Sequence, residues 1–368
     1  MNQKIFALES LRGIAAIFVA LYHYPSTSFL YLENGGRGVS FFFVLSGFVI
    51  SLNYIDKINS FSDLLNFQIK RFFRLYPTHI TILFIILTVQ ILKYYVVNFT
   101  EFKSGQTAFG EWYTLKDFIA SLFLIQGIFN NFYYLSWSGA AWSISTEFYT
   151  YVIFALLFML KKKIMLAIIL IVLLMKTLGF FDLFYIKNIF IIFNNVFFSC
   201  IFNFSIGILM YFLYIYLDKK FFINNFLSFL FIMTLMFIKI FFNDFFLKYD
   251  FLIYSFIIVN ASLLDKKTYL YKILNSRILI FLGTISYSFY LIHQTVIYFV
   301  VQFFRFILQV EFKIEEKSGS VAGTLNPYID TIIHLVYLIL SVLISYFLYK
   351  FVEKRFRNKS NFLYYKTT

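Results

Sequence analysis

The composition of this 368-residue chain excludes a soluble globular protein. Hydrophobic residues make up 61% of the chain and charged residues only 14%, and the mean hydropathy is +0.79. Even a large soluble domain keeps a polar exterior, so most of these side chains must face lipid. The net charge of +14 needs no nucleic-acid partner, because Lys and Arg fall in short clusters between apolar runs. Cys200 is the single cysteine, which predicts neither a disulfide framework nor a thiolate metal site.

Apolar runs long enough to cross a bilayer, about 17–25 residues each, recur along the whole chain. They predict an all-α polytopic membrane protein with about ten transmembrane helices. We place these spans near 7–24, 38–55, 77–97, 142–160, 164–180, 189–216, 222–241, 250–264, 278–308 and 329–351. The stretch 117–130 is apolar but too short to cross, so we predict an interfacial or re-entrant helix there.

The distribution of Lys and Arg predicts that both termini are cytoplasmic. If the N-terminus is inside, the inside segments hold about 20 of these residues and the outside segments about 11. An even number of spans agrees with this orientation, and the longer loops, at 98–141 and 309–328, then lie outside. We expect one membrane domain, residues 1–352, followed by a basic cytoplasmic tail, residues 353–368.

The first span, ALESLRGIAAIFVALYHY, carries two ionisable residues on one helical face. Arg12 and His23 are eleven residues apart, which is roughly 16 Å along a helix. A charge in the hydrocarbon costs a few kcal/mol, so an intramembrane Arg favours a functional site. Glu9 lies three residues before Arg12 and can neutralise it. Alternatively, Glu9 and Arg12 form a snorkelling pair at the inner interface, and His23 is an interfacial residue at the helix end.

The next two segments contain small residues and paired arginines. In GGRGVSFFFVLSGFVIS, Ser46 and Gly47 lie near mid-membrane and allow another helix or a thin ligand to approach the backbone. In FQIKRFFRLYPTHI, Arg71 and Arg74 share a helical face at the cytoplasmic mouth of the third span. Paired guanidinium groups suit phosphate. The alternatives are plain helix packing for the small residues and a positive-inside anchor for the arginines.

The fourth span, within SGAAWSISTEFYTYVIFA, carries a carboxylate. Glu147 lies in its outer third, at a depth similar to that of His23, and pairing with the imidazole would satisfy both groups. Trp142 and Tyr151 of the same segment are either interfacial belt residues or a stacking surface for a sugar.

The ninth span, within LGTISYSFYLIHQTV, is rich in Ser and Tyr. Ser286 and Tyr287 lie in its inner half and His293 further out. Such residues often only form hydrogen bonds between helices, and we assign His334 of the tenth span to that role.

Taken together, these five segments resemble the acyltransferase-3 family of bacterial membrane acyltransferases, which O-acylate surface and secreted glycans. The resemblance extends from ESLRGIAA to the tail sequence VEKRFR, and Arg12 and His23 match the family's Arg–ten residues–His signature. FFFVLSGFVI, RFFRLYP, AWSISTEF and ISYSFYLIH match the next four motifs in order. Two departures are Ala155, where the family usually has Pro, and the residue two after Glu353, which is Arg where the family often has Pro.

The resemblance implies an O-acyltransferase, most simply an O-acetyltransferase, in the bacterial cytoplasmic (inner) membrane. Acetyl-CoA or another acyl-CoA is the expected co-substrate, with no tightly bound cofactor and no metal. The expected acceptor is a glycan or a lipid-linked sugar. Because the chain carries no soluble SGNH-type domain, any second transfer step would need a separate periplasmic or extracellular transferase.

The resemblance also implies roles for the motif residues. His23 is the expected general base, oriented by Glu147, or alternatively takes the acyl group itself. Arg71, Arg74 and Arg12 would hold the phosphates and the pantetheine arm of acyl-CoA, which would pass Ser46 and Gly47. The residues expected to contact the acceptor are Trp142, Tyr151, Ser286, Tyr287 and His293. A competing reading is a transporter or flippase for a lipid-linked glycan, which would also place charges in the membrane. Repeat symmetry, which would favour a transporter, is not found in the sequence.

Overall fold

Long apolar helices form most of the structure. The computed structural model describes residues 5–24, 27–99, 108–178, 192–218, 224, 227, 250–314, 321–324 and 326–359. Within them, seven helices are long and apolar enough to cross a membrane: Phe6–His23, Gly35–Tyr54, Phe61–Phe99, Ala141–Phe158, Asn195–Leu217, Arg277–Phe306 and Pro327–Lys359. The chain is therefore a multi-pass helical membrane protein.

We number the helices of the described residues in chain order. They are α1 (Phe6–His23), α2 (Gly38–Tyr54, preceded by a 3₁₀ turn at Gly35–Arg37), α3 (Phe61–Phe99), α4 (Leu115–Leu122), α5 (Ala141–Phe158), α6 (Lys162–Thr177), α7 (Asn195–Asp218), α8 (Asp250–Leu263), α9 (Tyr269–Leu274), α10 (Arg277–Phe306) and α11 (Pro327–Leu348). A π-helical turn, Tyr349–Glu353, follows α11, and the helix then continues to residue 359. Two antiparallel strands, β1 (Phe312–Ile314) and β2 (Val321–Thr324), lie between α10 and α11.

Nine of the ten predicted spans coincide with helices of the described residues. Two of these helices are short, since α6 has 16 residues and α8 has 14. The predicted seventh span, 222–241, lies outside the described residues apart from positions 224 and 227. The count of ten and the sides of the termini therefore stay predictions. Helix α3 begins at Phe61, well before the predicted span near 77–97, and continues through the buried Pro77.

Two close backbone contacts bring helices together. A Cβ atom on Gly13 of α1 would lie 2.6 Å from the backbone nitrogen of Gly283 on α10, and a Cβ on Gly283 would overlap the carbonyl oxygen of Glu9. Likewise, a Cβ on Gly47 of α2 would overlap the carbonyl oxygen of Phe204 on α7. Small residues at such crossings let membrane helices approach closely, which van der Waals packing rewards. The α1–α10 contact fixes how the first and ninth predicted spans align.

A short helix and an irregular segment follow α3, where the sequence predicts a non-crossing element. Helix α4 has only eight residues and does not cross. The carbonyl oxygens at and just after its last residue accept hydrogen bonds from neighbouring helices: Tyr76 donates to Leu122 (3.0 Å) and Ser145 to Leu124 (2.5 Å). Irregular backbone at membrane depth is tolerated when it is buried and satisfied in this way.

Asp330 in the first turn of α11 ties three segments together. Its carboxylate accepts hydrogen bonds from the backbone N–H of Thr324 (2.9 and 3.0 Å), from the Thr27 hydroxyl and from the Tyr24 hydroxyl (3.4 Å). The residue is fully buried, with 0% of its surface exposed. Burial and the adjacent carboxylate raise the pKa of the Tyr24 phenol, so this group stays protonated and donates. Asp330 therefore holds the strand pair and the end of α1 against α11.

We expect Asp330→Ala to lower the free energy of unfolding by about 3 kcal/mol, because several buried donors lose their acceptor. The measurement is thermal unfolding of the purified protein in detergent. Glu311→Ala, which removes an exposed carboxylate next to β1, is the matched control and should leave the midpoint unchanged. Equal midpoints for the two variants would contradict the assigned role.

Candidate functional site

Helices α1 and α3 border three cavities among the described residues, and α2, α5 and α10 each border two of them. The first, which we call the arginine cavity, has a volume of about 360 Å³. Its polar lining consists of Glu9, Arg12, Asn53, Tyr54, Arg71, Arg74 and Arg357. Four guanidinium groups around one space repel each other, so an anion there would stabilise the arrangement.

Arg71 is held in the arginine cavity by aromatic rings. Its guanidinium carbon lies 5.1 Å from the ring centre of Tyr54 and 5.2 Å from that of Phe67, within the range of cation–π attraction. The Nε atom of Arg71 is buried and has no hydrogen-bond acceptor in the described part of the chain. A buried donor without an acceptor is unfavourable, and an anionic oxygen in the cavity would satisfy it.

Arg12 and Arg74 border both the arginine cavity and the next cavity. The Nη1 atom of Arg12 lies 4.0 Å from Oε1 of Glu9, so the pairing expected from their spacing is confirmed. Arg74 lies within electrostatic reach of three carboxylates, those of Glu353, Glu9 and Glu147. These carboxylates offset part of the cost of placing cations in the bundle.

The second, or central, cavity is the smallest of the three, with a volume of about 70 Å³. Besides Arg12 and Arg74, its polar lining consists of Ser46, Ser143, Glu147, Tyr151, Ser286, Tyr287 and Tyr290. The carboxylate of Glu147 accepts hydrogen bonds from the hydroxyls of Ser46 and Tyr151, the latter at 2.5 Å. Two donors from two helices therefore hold this carboxylate at the central cavity.

The expectation that Glu147 orients His23 is wrong in this structure. The hydrogen bonds of Glu147 go to Ser46 and Tyr151, and His23 borders the third cavity, not the central one. His23 is the last residue of α1, whereas Glu147 lies six residues after the start of α5. Six residues correspond to about 9 Å along a helix, so the two side chains differ in depth.

The third cavity, which we call the tryptophan cavity, has a volume of about 480 Å³. Its aromatic and polar lining consists of Trp112, Trp137, Trp142, Tyr22, Tyr113, Tyr298, Phe299, Gln90, Gln294, Ser138, Thr295 and His23. Trp137 is fixed, because its indole N–H donates to the Thr114 carbonyl at 2.9 Å. Burial raises the pKa of the Tyr113 phenol, which keeps this group protonated as a donor. Flat rings with hydroxyl and amide groups suit a sugar better than an apolar ligand.

Two groups lie within hydrogen-bond distance of the His23 ring. Its Nδ1 atom lies 2.7 Å from the carbonyl oxygen of Val19 and 3.4 Å from Nε2 of His293. His293 on α10 is buried, with 1% exposed, and its own Nδ1 lies 2.6 Å from the carbonyl oxygen of Tyr290. The remaining ring nitrogen of His23, Nε2, has no hydrogen bond within the described residues, and the ring borders the tryptophan cavity.

The structure divides the residues expected to contact the acceptor. Trp142 borders the tryptophan cavity and His293 lies beside His23, but Tyr151, Ser286 and Tyr287 border the central cavity. The hydroxyl of Ser286 donates to the Gly283 carbonyl (2.8 Å), and that of Tyr287 donates to the Leu75 carbonyl (2.5 Å). These three residues therefore shape the central cavity.

Ser46 and Gly47 also take different positions. Ser46 borders the central cavity, whereas Gly47 packs on the α7 backbone at Phe204. We expected the pantetheine arm to pass both residues, but in this structure Gly47 contacts a helix and does not border the central cavity. Adjacent residues of a helix point about 100° apart, so one of a small-residue pair can face a ligand while the other faces a helix.

Two residues of the last helix border or support the site but were not predicted from the sequence as site residues. Arg357 borders the arginine cavity, and Glu353, with 2% exposed, accepts a hydrogen bond from the hydroxyl of Ser288 on α10 at 2.8 Å. Glu353 is the last residue of the π-helical turn, and Arg357 follows that turn in the same helix. Such π-helical turns are often found at functional sites. The predicted boundary between residues 352 and 353 falls inside this helix. The sequence feature that could have indicated both residues is VEKRFR, the last segment of the family resemblance.

Comparison with known proteins supplies one match. The model of the acyltransferase-3 family, described as an acyltransferase domain, matches residues 5–354. No curated protein and no solved structure matches the chain. The matched range includes every residue assigned above to the three cavities except Arg357.

Proposed function

This chain belongs to the acyltransferase-3 family, and we propose that it transfers an acyl group from acyl-CoA in the cytoplasm to a hydroxyl of a glycan outside. The observation that carries the proposal is the arrangement along α1. Arg12 borders the arginine cavity, His23 borders the tryptophan cavity, and the small central cavity is lined by residues at intermediate positions along α3 and α10. A cationic site and an imidazole at opposite ends of such a series of cavities suit a donor and an acceptor that approach from opposite sides.

The arginine cavity would hold the phosphate groups of acyl-CoA. Its guanidinium groups form charge-assisted hydrogen bonds to phosphate, and the unpaired Nε of Arg71 offers a further donor. The pantetheine arm is thin enough to extend through the central cavity past Ser46. The distance of roughly 16 Å between Arg12 and His23 along α1 suits this arm when it is extended.

His23 would act as the general base in the tryptophan cavity. Its Nε2 accepts the proton of the acceptor hydroxyl as that oxygen attacks the thioester carbonyl. The carbon–sulfur bond then breaks, and the leaving CoA thiolate takes up the proton. In the alternative route His23 first accepts the acyl group and then passes it to the sugar. Ping-pong kinetics would favour the acyl-histidine route, and strict ternary-complex kinetics the direct route.

Glu147 and Arg12 would act at the central cavity. Glu147 keeps the hydroxyls of Ser46 and Tyr151 at fixed positions beside this cavity. Arg12 can reach the pyrophosphate or a carbonyl of the pantetheine arm from the same cavity. A central cavity of about 70 Å³ favours a small acyl group, so we propose acetyl-CoA as the donor.

The same arrangement favours the predicted orientation. CoA is made in the cytoplasm, and the arginine cavity lies at the end of the bundle where α1 begins. We therefore propose that both termini are inside and that the protein resides in a bacterial cytoplasmic membrane. The tryptophan cavity would then open toward the outside, where a surface glycan or lipid-linked sugar is available.

The first test concerns the donor site. The double variant Arg71→Ala with Arg74→Ala should raise the KM for acetyl-CoA by about 10²–10⁴-fold, because two charge-assisted hydrogen bonds of roughly 1.5–3 kcal/mol each are lost. Steady-state release of CoA thiol measures this. Lys163→Ala, which removes an exposed cation outside the arginine cavity, should leave the KM unchanged. An unchanged KM for the double variant would reduce the two arginines to membrane anchors.

The second test concerns the base. His23→Ala should lower the rate of acyl transfer by about 10²–10⁴-fold while the KM for acetyl-CoA stays the same. Mass spectrometry of acetyl esters on surface polysaccharides, in cells with the wild-type protein, the variant or neither, measures transfer. Release of CoA thiol by the purified protein measures it independently and separates an acyltransferase from a flippase. Normal activity of the variant in both assays would remove the central assignment.

The third test concerns the acceptor. Trp142→Ala should raise the KM for the acceptor about tenfold, since a stacking contact of roughly 1–1.5 kcal/mol is lost. Trp142→Phe keeps a ring and should retain most of the affinity. The KM for acetyl-CoA serves as the internal control, because Trp142 lies outside the arginine and central cavities. Equal acceptor KM values for all three proteins would place the sugar elsewhere.

A further inference from the structure

His293 has a ring environment that determines which of its nitrogens carries the proton. Its Nδ1 lies 2.6 Å from the Tyr290 carbonyl oxygen, a distance at which an unprotonated nitrogen would repel that oxygen. The proton of a neutral His293 is therefore on Nδ1, and its Nε2 carries a lone pair. The side chain is buried, so it has little freedom to rotate away.

The same reasoning applies to His23. Its Nδ1 faces two acceptors at once, the Val19 carbonyl oxygen at 2.7 Å and the lone pair on Nε2 of His293 at 3.4 Å. Both acceptors require a proton on Nδ1 of His23, which leaves Nε2 unprotonated. The Val19 carbonyl also serves the backbone ladder of α1, so it is shared. The bond to His293 is thus a second restraint on the same proton.

We propose that His293 is a positioning residue that keeps His23 in the tautomer able to act as a base. Its Nε2 accepts the Nδ1–H of His23, and Nε2 of His23 is left facing the tryptophan cavity. This inference rests on the proposed function for its effect on the rate, but the hydrogen bond itself does not. The orienting role that the sequence suggested for Glu147 therefore belongs to a second histidine on another helix.

The test compares two replacements of similar length. In His293→Gln the amide oxygen can replace Nε2 as the acceptor, whereas His293→Met fills the same space without an acceptor. We expect His293→Met to lower the rate of acyl transfer about tenfold with an unchanged KM for acetyl-CoA. We expect His293→Gln to stay within about threefold of the wild-type rate.

A spectroscopic measurement separates positioning from packing. The chain has only 4 histidines, so selective ¹⁵N-histidine labelling gives a simple NMR spectrum in detergent, with each ring assigned by single substitution. The wild-type protein should show His23 protonated on Nδ1 and unprotonated on Nε2. In His293→Met the His23 signals should shift toward a mixture of both tautomers, and in His293→Gln they should stay near the wild-type positions.

Three results would overturn the proposal. One is a wild-type spectrum with His23 protonated on Nε2, which needs no variant and so survives any failure of His293→Met to fold. The second is equal loss of rate in both variants with an unchanged His23 spectrum, which would reduce His293 to packing. The third is a wild-type rate for His293→Met. Full activity of His23→Ala would instead refute the proposed function, and the spectra would still decide whether His293 holds the proton of His23.

Discussion

The close contact between α1 and α10 is the constraint on which the rest of the site depends. At this crossing Gly13 lies against the backbone at Gly283, and Gly283 lies against the carbonyl of Glu9, so neither position has room for a Cβ atom. A larger residue would force the helices apart by an amount that packed membrane helices cannot absorb locally. The separation would open the 3.4 Å contact between His23 and His293, at the far end of the same helix pair. Two glycines near one end of the bundle thus set the geometry of the imidazoles near the other.

Two carboxylates of the bundle are held by hydroxyl groups, while several arginines border the arginine cavity. Glu147 accepts from Ser46 and Tyr151, and Glu353 accepts from Ser288. Direct bidentate pairs with arginine would neutralise the cations but would also occupy the donors that a phosphate needs. Carboxylates held nearby by hydroxyls reduce the cost of the buried cations and leave guanidinium donors such as Nε of Arg71 available. This arrangement would suit the anionic ligand of the proposed function.

The sequence was sufficient for the broad architecture and for the set of helices that form the site. Apolar length located nine helices, and the five helices α1, α2, α3, α5 and α10, which carry the motif residues, all border one or more of the three cavities. The sequence was insufficient to predict which side chains contact each other, because the depth of a residue along a span does not tell which way its side chain points. Tyr151, one turn after Glu147, was a better indication of that carboxylate's partner than a histidine on another helix. Arg357 could not be placed at all, since its direction depends on a π-helical turn that changes the register of the last helix.

The sizes of the three cavities are relevant to how the proposed enzyme would avoid hydrolysis of the thioester by water. The central cavity, about 70 Å³, is several times smaller than the cavities of about 360 and 480 Å³ on either side. Under the proposed function a nucleotide and a sugar are both too large for this volume, and only the pantetheine arm with its thioester would enter it. A base at the tryptophan cavity can activate water as readily as a sugar hydroxyl. A sugar stacked on Trp142 would displace that water, and the active site becomes dry only once the acceptor is in place. In the proposed reaction, transfer without hydrolysis would then depend on the acceptor occupying the tryptophan cavity before the thioester arrives beside His23.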